Sequence, residues 1–181
     1  MVRIWGLRLF LLMLSLSLVG CLRPLYGPGL SAEKKVPQKL SSVDIDITLA
    51  PETSAFLGHE LRKFLRFQLT GGGEDRVLSR YRLHVNLSEV STPALFDMHQ
   101  GIATNVLLSA TGDFSLVPLQ GKENSLLSGK AATSVILYQN PQGFANVREA
   151  RDAHIRVARM LADQIYYRLV TYFSRHSEVG E

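Results

Sequence analysis

The chain has 181 residues, 46% of them hydrophobic and 20% charged, with a formal charge of +4 and a single cysteine. That length suits one domain able to bury roughly 70% of its unfolded surface. A lone cysteine excludes an intramolecular disulfide, and the lack of clustered Lys/Arg with interleaved aromatics argues against a nucleic-acid binder.

Residues 1–20 read as a signal peptide. Met1 to Arg8 carries Arg3 and Arg8 and no acid, and Leu9 to Val19 (LFLLMLSLSLV) is an apolar run. It is too short to span a bilayer, which takes ~20 residues. Ser15-Leu16-Ser17 offers the small-x-small pattern of ordinary cleavage. Leu18-Val19-Gly20-Cys21 instead resembles the bacterial lipobox. The lipobox resemblance implies cleavage between Gly20 and Cys21, a diacylglyceryl group on the Cys21 thiol and an acylated new amine. Each buried CH₂ contributes ~0.8 kcal/mol, so two or more chains anchor stably where one does not. Leu22, not aspartate, follows the cysteine. This implies an outer-membrane, periplasm-facing address. Losing Arg3 and Arg8 with the signal lowers the formal charge from +4 to +2.

Leu22 to Ser42 (LRPLYGPGLSAEKKVPQKLSS) shows no period and reads as a tether completing the lipidated segment 21–42. Its reach is at most ~70 Å extended and nearer ~25 Å as a coil. A domain over 43–174 and a short tail over 175–181 follow. Val43 to Leu49 (VDIDITL) alternates at every position, the pattern of a half-buried strand. From Pro51 the period becomes helical, with Leu57, Leu61, Phe64, Leu65 and Leu69 on one face and Gly71-Gly72-Gly73 as the stop. Gly58 weakens that helix by ~1 kcal/mol relative to alanine.

Three strands are expected next. Tyr81 to Ser88 turns Tyr81, Leu83, Val85 and Leu87 one way; Ala103 to Leu119 does the same with Val106, Leu108, Ala110, Phe114 and Leu116. Leu126 to Tyr138 alternates more weakly, and Gln120 to Ser125 (QGKENS) separates the last two as a hairpin loop. Asp97-Met98-His99 falls in the loop between the first two of these strands. From Phe144 to Phe173, Ala153, Val157, Leu161, Ile165, Leu169 and Phe173 recur every fourth residue. The far face of this helix carries Arg148, Asp152, Arg156, Arg159, Asp163 and Arg168. The order β-α-β-β-β-α predicts an α+β fold: two helices on one face of a mostly antiparallel four-stranded sheet.

No catalytic constellation emerges. There is no GxSxG elbow, P-loop or HExxH, since His59-Glu60 meets Lys63 where a second zinc histidine belongs, and the 5 histidines lack ligand spacing. A non-enzyme with no cofactor and no metal is the expectation.

Cys21-Leu22-Arg23-Pro24-Leu25-Tyr26-Gly27 is similar to the start of the lipopolysaccharide-assembly lipoproteins of the LptE family, in particular their alphaproteobacterial branch. Gly129, Tyr138, Phe144-Ala145, Ala150-x-Asp152-Ala153, Leu161-Ala162, Ile165, Leu169 and Tyr172-Phe173 extend the resemblance over most of the chain. The resemblance implies two helices on a four-stranded sheet. It also implies a non-catalytic plug and assembly partner of the outer-membrane β-barrel LptD, helping to deliver lipopolysaccharide to the outer leaflet. Such a protein faces the periplasm or sits inside the barrel lumen. The alternative is a lipid-anchored periplasmic accessory subunit of another lipid-transport machine.

Basic side chains are the candidates for touching lipopolysaccharide or the barrel. His59, Arg62, Lys63 and Arg66 form a stripe on the polar side of the first helix with only Glu60 to balance them, and Lys122 and Lys130 flank the last hairpin turn.

Overall fold

The computed structural model describes residues 31–72, 78–97, 102–120, 124–138 and 143–176. Gly20, Cys21, the signal segment and Lys122 lie outside the described residues. In chain order the elements are α1 (Ser31–Ser41), β1 (Val43–Leu49), α2 (Ala55–Thr70), β2 (Tyr81–Asp97), β3 (Ile102–Pro118), β4 (Leu127–Tyr138) and α3 (Gly143–His176). The four strands lie in the order β1-β2-β3-β4. β1 pairs with β2 in parallel, joined by α2 as a crossover, while β2–β3 and β3–β4 are antiparallel hairpins. The expected α+β architecture is therefore present, with α1 added in front.

Alternation puts one face of every strand under the helices. Leu83, Val85 and Leu87 of β2, Leu108, Ala110, Phe114 and Leu116 of β3, and Ala131 of β4 are buried. α2 covers β1 and supplies Leu57, Leu61, Leu65 and Leu69; α3 covers β3 and β4 with Ala153, Val157, Leu161, Ile165, Leu169 and Phe173. Each fully buried leucine, isoleucine or phenylalanine contributes about 1.5–3 kcal/mol over leaving it in water. α2 ends where expected: Gly71 adopts the left-handed conformation at φ 64° and its N–H returns to the Phe67 carbonyl.

Four local expectations need revision. Ser31–Ser41, read as tether, is helical. Val36 and Leu40 of this short segment join the core, and Pro37 lies inside the helix, so neither period nor propensity announces it. Packing holds it instead. Ser42, buried at its end, accepts from the N–H of Arg80 at 2.8 Å and ties the segment to the start of β2.

β2 runs to Asp97, nine residues beyond Ser88, taking in part of the expected loop. Register shifts around Leu95 break the alternation there. Pro93 lies past Leu49, the end of β1, where β2 is itself an edge strand and proline is tolerated. Gly58, expected only as a weak point, serves an approach: a Cβ there would lie 2.8 Å from Leu49 Cδ2. α3 also continues to His176, into the stretch read as tail.

Leu161 sits at the centre of the interface, fully buried. Leu161→Asp places an unpaired charge there, and a loss of about 4 kcal/mol or more is expected. A thermal melt within a few degrees of wild type would show that this stripe does not face the core.

Candidate functional site

Two polar clusters sit on the helical layer. α2 and α3 run parallel to one another, as successive contacts show: Phe56 against His154, Phe64 against Arg159, and Gln68 donating to Asp163. Both helices carry exposed cations. Arg62, Lys63 and Arg66 are exposed on α2. Lys63 Nζ lies 3.1 Å from Glu60 Oε2, so one of the three charges is balanced by a nearly buried carboxylate. Arg62 and Arg66 make no ion pair among the described residues.

Two arginines from α3 reach over phenylalanines of α2, on the side of that helix turned away from Arg62 and Arg66. The Arg151 guanidinium lies 5.0 Å from the Phe56 ring centroid and that of Arg159 lies 5.1 Å from Phe64, with Lys63 Nζ at 5.7 Å from the same ring. Such stacking holds a guanidinium with its N–H donors at the surface and contributes about 0.5–1 kcal/mol at an exposed site. The signal for this was present: two phenylalanines and two arginines each repeat at i,i+8, so parallel helices bring them into matched pairs. Single-helix reasoning puts Arg159 on the far face. Arg168, read the same way, stacks on Phe114 at 5.6 Å through the gap left by Gly129. Arg148, Asp152, Arg156, Arg159 and Arg168 are all exposed as expected of the far face, and Arg156 pairs there with Asp152 at 3.0 Å and also with Glu149.

Lys130 lies apart from the helical layer. It lies within β4, not at the turn, on the helix-free face opposite Asp113 of β3, with Nζ 3.8 Å from Asp113 Oδ1. That face is lined with cross-strand pairs of the same kind, Asp44 with Arg82 and Asp46 with His84.

The second cluster lies where α2 begins. Glu89 of β2 accepts the Ser54 N–H at 3.1 Å through Oε2 and meets His154 Nε2 at 2.8 Å through Oε1. His154 Nδ1 lies 2.7 Å from the Ala150 carbonyl, and Phe56 packs edge-on against the ring. α2 has no acidic residue in its first turn and the Ser54 side chain makes no cap bond. The sheet thus supplies the missing cap: a carboxylate from β2 satisfies an N-terminal N–H and places negative charge at the positive end of the helix dipole. With both ring nitrogens engaged, His154 has no free nitrogen to act as a base. This node binds α2, β2 and α3 together. The pairing is invisible in sequence because Glu89 and His154 are 65 residues apart.

Tyr172 beside the core is the titratable group whose surroundings act on it most clearly. Burial first, and the neighbouring Tyr81 second, hold its hydroxyl above the ordinary phenol range. Among the described residues no group of His, Cys, Asp or Glu is arranged to hold a metal, and no helix is long and apolar enough to cross a membrane.

The family model for LptE, lipopolysaccharide-assembly, matches residues 42–169. Among solved structures, a candidate lipoprotein from Caulobacter crescentus is similar at 21% identity and a TM-score of 0.57, covering 78% of this chain and 97% of its own. An uncharacterised lipoprotein B from Nitrosomonas europaea matches at 14% identity and a TM-score of 0.50, with 78% and 93% covered. No curated protein matches.

Glu89→Ala removes the acceptor of Ser54 and leaves His154 facing an empty position. Urea denaturation should show a loss of about 3 kcal/mol, and Glu89→Gln, which keeps an acceptor oxygen, should lose less. Equal melts for wild type and Glu89→Ala would mean that the node does not hold the layers together.

Proposed function

The chain belongs to the LptE family of lipopolysaccharide-assembly proteins, and we propose that it works as an outer-membrane lipoprotein of the lipopolysaccharide translocon. In this reading acyl chains on Cys21 hold it to the membrane. The domain is a non-catalytic plug and assembly partner of the LptD barrel, facing the periplasm or inside the lumen, and it helps deliver lipopolysaccharide to the outer leaflet. The family match over residues 42–169 carries the proposal, because it takes in β1 to most of α3. The Leu18-Val19-Gly20-Cys21 motif supports the anchor.

The exposed cations of the helical layer are the place for lipopolysaccharide phosphates to bind. Arg62 and Arg66 offer guanidinium groups with no ion pair among the described residues, and Arg151 and Arg159 present theirs already oriented by Phe56 and Phe64. Arginine binds phosphate through paired, charge-assisted hydrogen bonds. Lys130 is the weaker candidate because Asp113 shares its charge.

One preparation tests anchor and partner together. The chain extracted from outer membranes should show the mass of a Cys21 start bearing acyl chains and should carry LptD on an immunoblot. Cys21→Ser should remain uncleaved by the lipoprotein peptidase and lose stable anchoring. An unmodified terminus at Leu18 would show ordinary cleavage, and an inner-membrane transporter in place of LptD would favour an accessory role in another machine.

Replacing Arg62, Lys63 and Arg66 together by Gln should leave the circular dichroism spectrum unchanged, since Gln at position 63 can still donate to Glu60. Lipopolysaccharide binding should fall by roughly tenfold at low salt and become less dependent on salt. Unchanged affinity at both salt concentrations would make the α2 stripe an ordinary wetted surface.

A further inference from the structure

The sheet has two edges, and they are treated differently. β1 is short and carries Asp44 and Asp46, two devices that discourage strand pairing. On β4 the proximal half is guarded twice. Lys130 places a charge there, and Gln164 of α3 engages the strand's own main chain. Its Oε1 accepts the Ala132 N–H at 3.3 Å and its Nε2 donates to the Ala132 carbonyl at 3.0 Å. This side-chain amide does what a neighbouring strand would do.

The Gln164 contact also reveals how β4 is oriented. The Ala132 N–H and C=O point away from β3, and in an antiparallel ladder that direction recurs at every second residue. Ser134, Ile136 and Tyr138 therefore turn their main-chain groups outward too. Among the described residues no group pairs with them. Apolar side chains of this edge are exposed, Ile136 at 45% and Tyr138 at 68%, and α3 opens with exposed Phe144 and Val147 at 93% and 71%. No charged side chain interrupts Ser134 to Tyr138.

We propose that the distal edge of β4, Ser134 to Tyr138, receives an extended segment of the barrel partner as an added strand. The main chain of the edge selects a main chain as its occupant, because evenly spaced N–H and C=O groups are matched by another extended polypeptide. The incoming strand carries apolar side chains at alternate positions, to pack against the exposed apolar groups beside the edge. Gln164 sets the register by ending the available edge at Ala132. A second copy of this chain is the poorer occupant. Five residues of paired strand fall well below the ~1,200 Å² of a stable interface, so the contact belongs to a larger one.

The inference rests on the LptD reading, and one experiment separates the two. The full chain is purified from outer membranes by a tag and the recovered LptD is measured for wild type, Ser134→Pro and Ser134→Ala. Proline removes an outward N–H and spares the ladder to β3, so the isolated variant should melt close to wild type. Ser134→Pro should recover about tenfold less LptD, the effect of losing a buried main-chain hydrogen bond and leaving its partner unmatched. Ser134→Ala should recover as much as wild type. A folded Ser134→Pro chain that retains LptD overturns the edge proposal and leaves the LptD reading standing. A wild-type chain that brings no LptD overturns the reading itself, and the proposed occupant with it. Should Ser134→Pro fail to fold, a photo-crosslinking phenylalanine at Tyr138 decides. Crosslinks to LptD from Tyr138 and not from Ser128 support the edge, whereas crosslinks to a second copy, or equal labelling from both, overturn it.

Discussion

The structure depends on one close approach, that of α3 onto the centre of the sheet. A long helix can lie close on strands only where small residues make room. Ala153, Ala158 and Ala162 are buried on the helix, and Ala110 and Ala131 on the strands. At Gly129 of β4 a Cβ would lie 2.7 Å from Arg168 Nη1 and 2.9 Å from Phe114 Cζ, so the bare backbone there lets Arg168 of α3 cross onto Phe114. The large groups Leu161, Ile165, Leu169 and Phe173 are buried in the same core. α2 then fills the remaining half of the same face over β1, and the second face is left to water.

Two consequences follow from a sheet covered on one side only. The uncovered face has to satisfy its own charges, which it does with cross-strand pairs such as Asp44 with Arg82 and Asp113 with Lys130. The helical layer, by contrast, carries exposed cations and seats two arginines of α3 on phenylalanine rings of α2. Glu89 fastens the layers at the point where β2 leaves β1, capping α2 and gripping His154 of α3 in one step. Strand direction also separates the two ends. Ser42 lies beside Arg80 and Tyr81 at the start of β2, whereas the unguarded part of β4 lies at the opposite end of the sheet.

Most of this fold was legible in sequence wherever one period ran undisturbed. β1, α2, β3, β4 and α3 all announce themselves through alternation or through leucines every fourth residue. The period failed where the chain breaks it. Pro37 and a scarcity of apolar residues hide α1, and register shifts around Leu95 hide the second half of β2. The candidate site was half legible. Arg62, Lys63 and Arg66 form a stripe on one helix and can be seen from one helix. Arg151 and Arg159 enter only once the helices are known to run parallel, and Lys130 leaves because its strand faces it toward Asp113. Glu89 and His154 gave no signal at all, since a pair contributed by a strand and a distant helix has no spacing to read.

The central claim is that this domain serves lipopolysaccharide delivery to the cell surface. Depleting the chain from growing cells and staining intact cells for surface lipopolysaccharide tests it most directly. Surface lipopolysaccharide should fall as the protein disappears and return when wild-type protein is resupplied. Unchanged surface staining in cells from which the chain has gone would contradict the account.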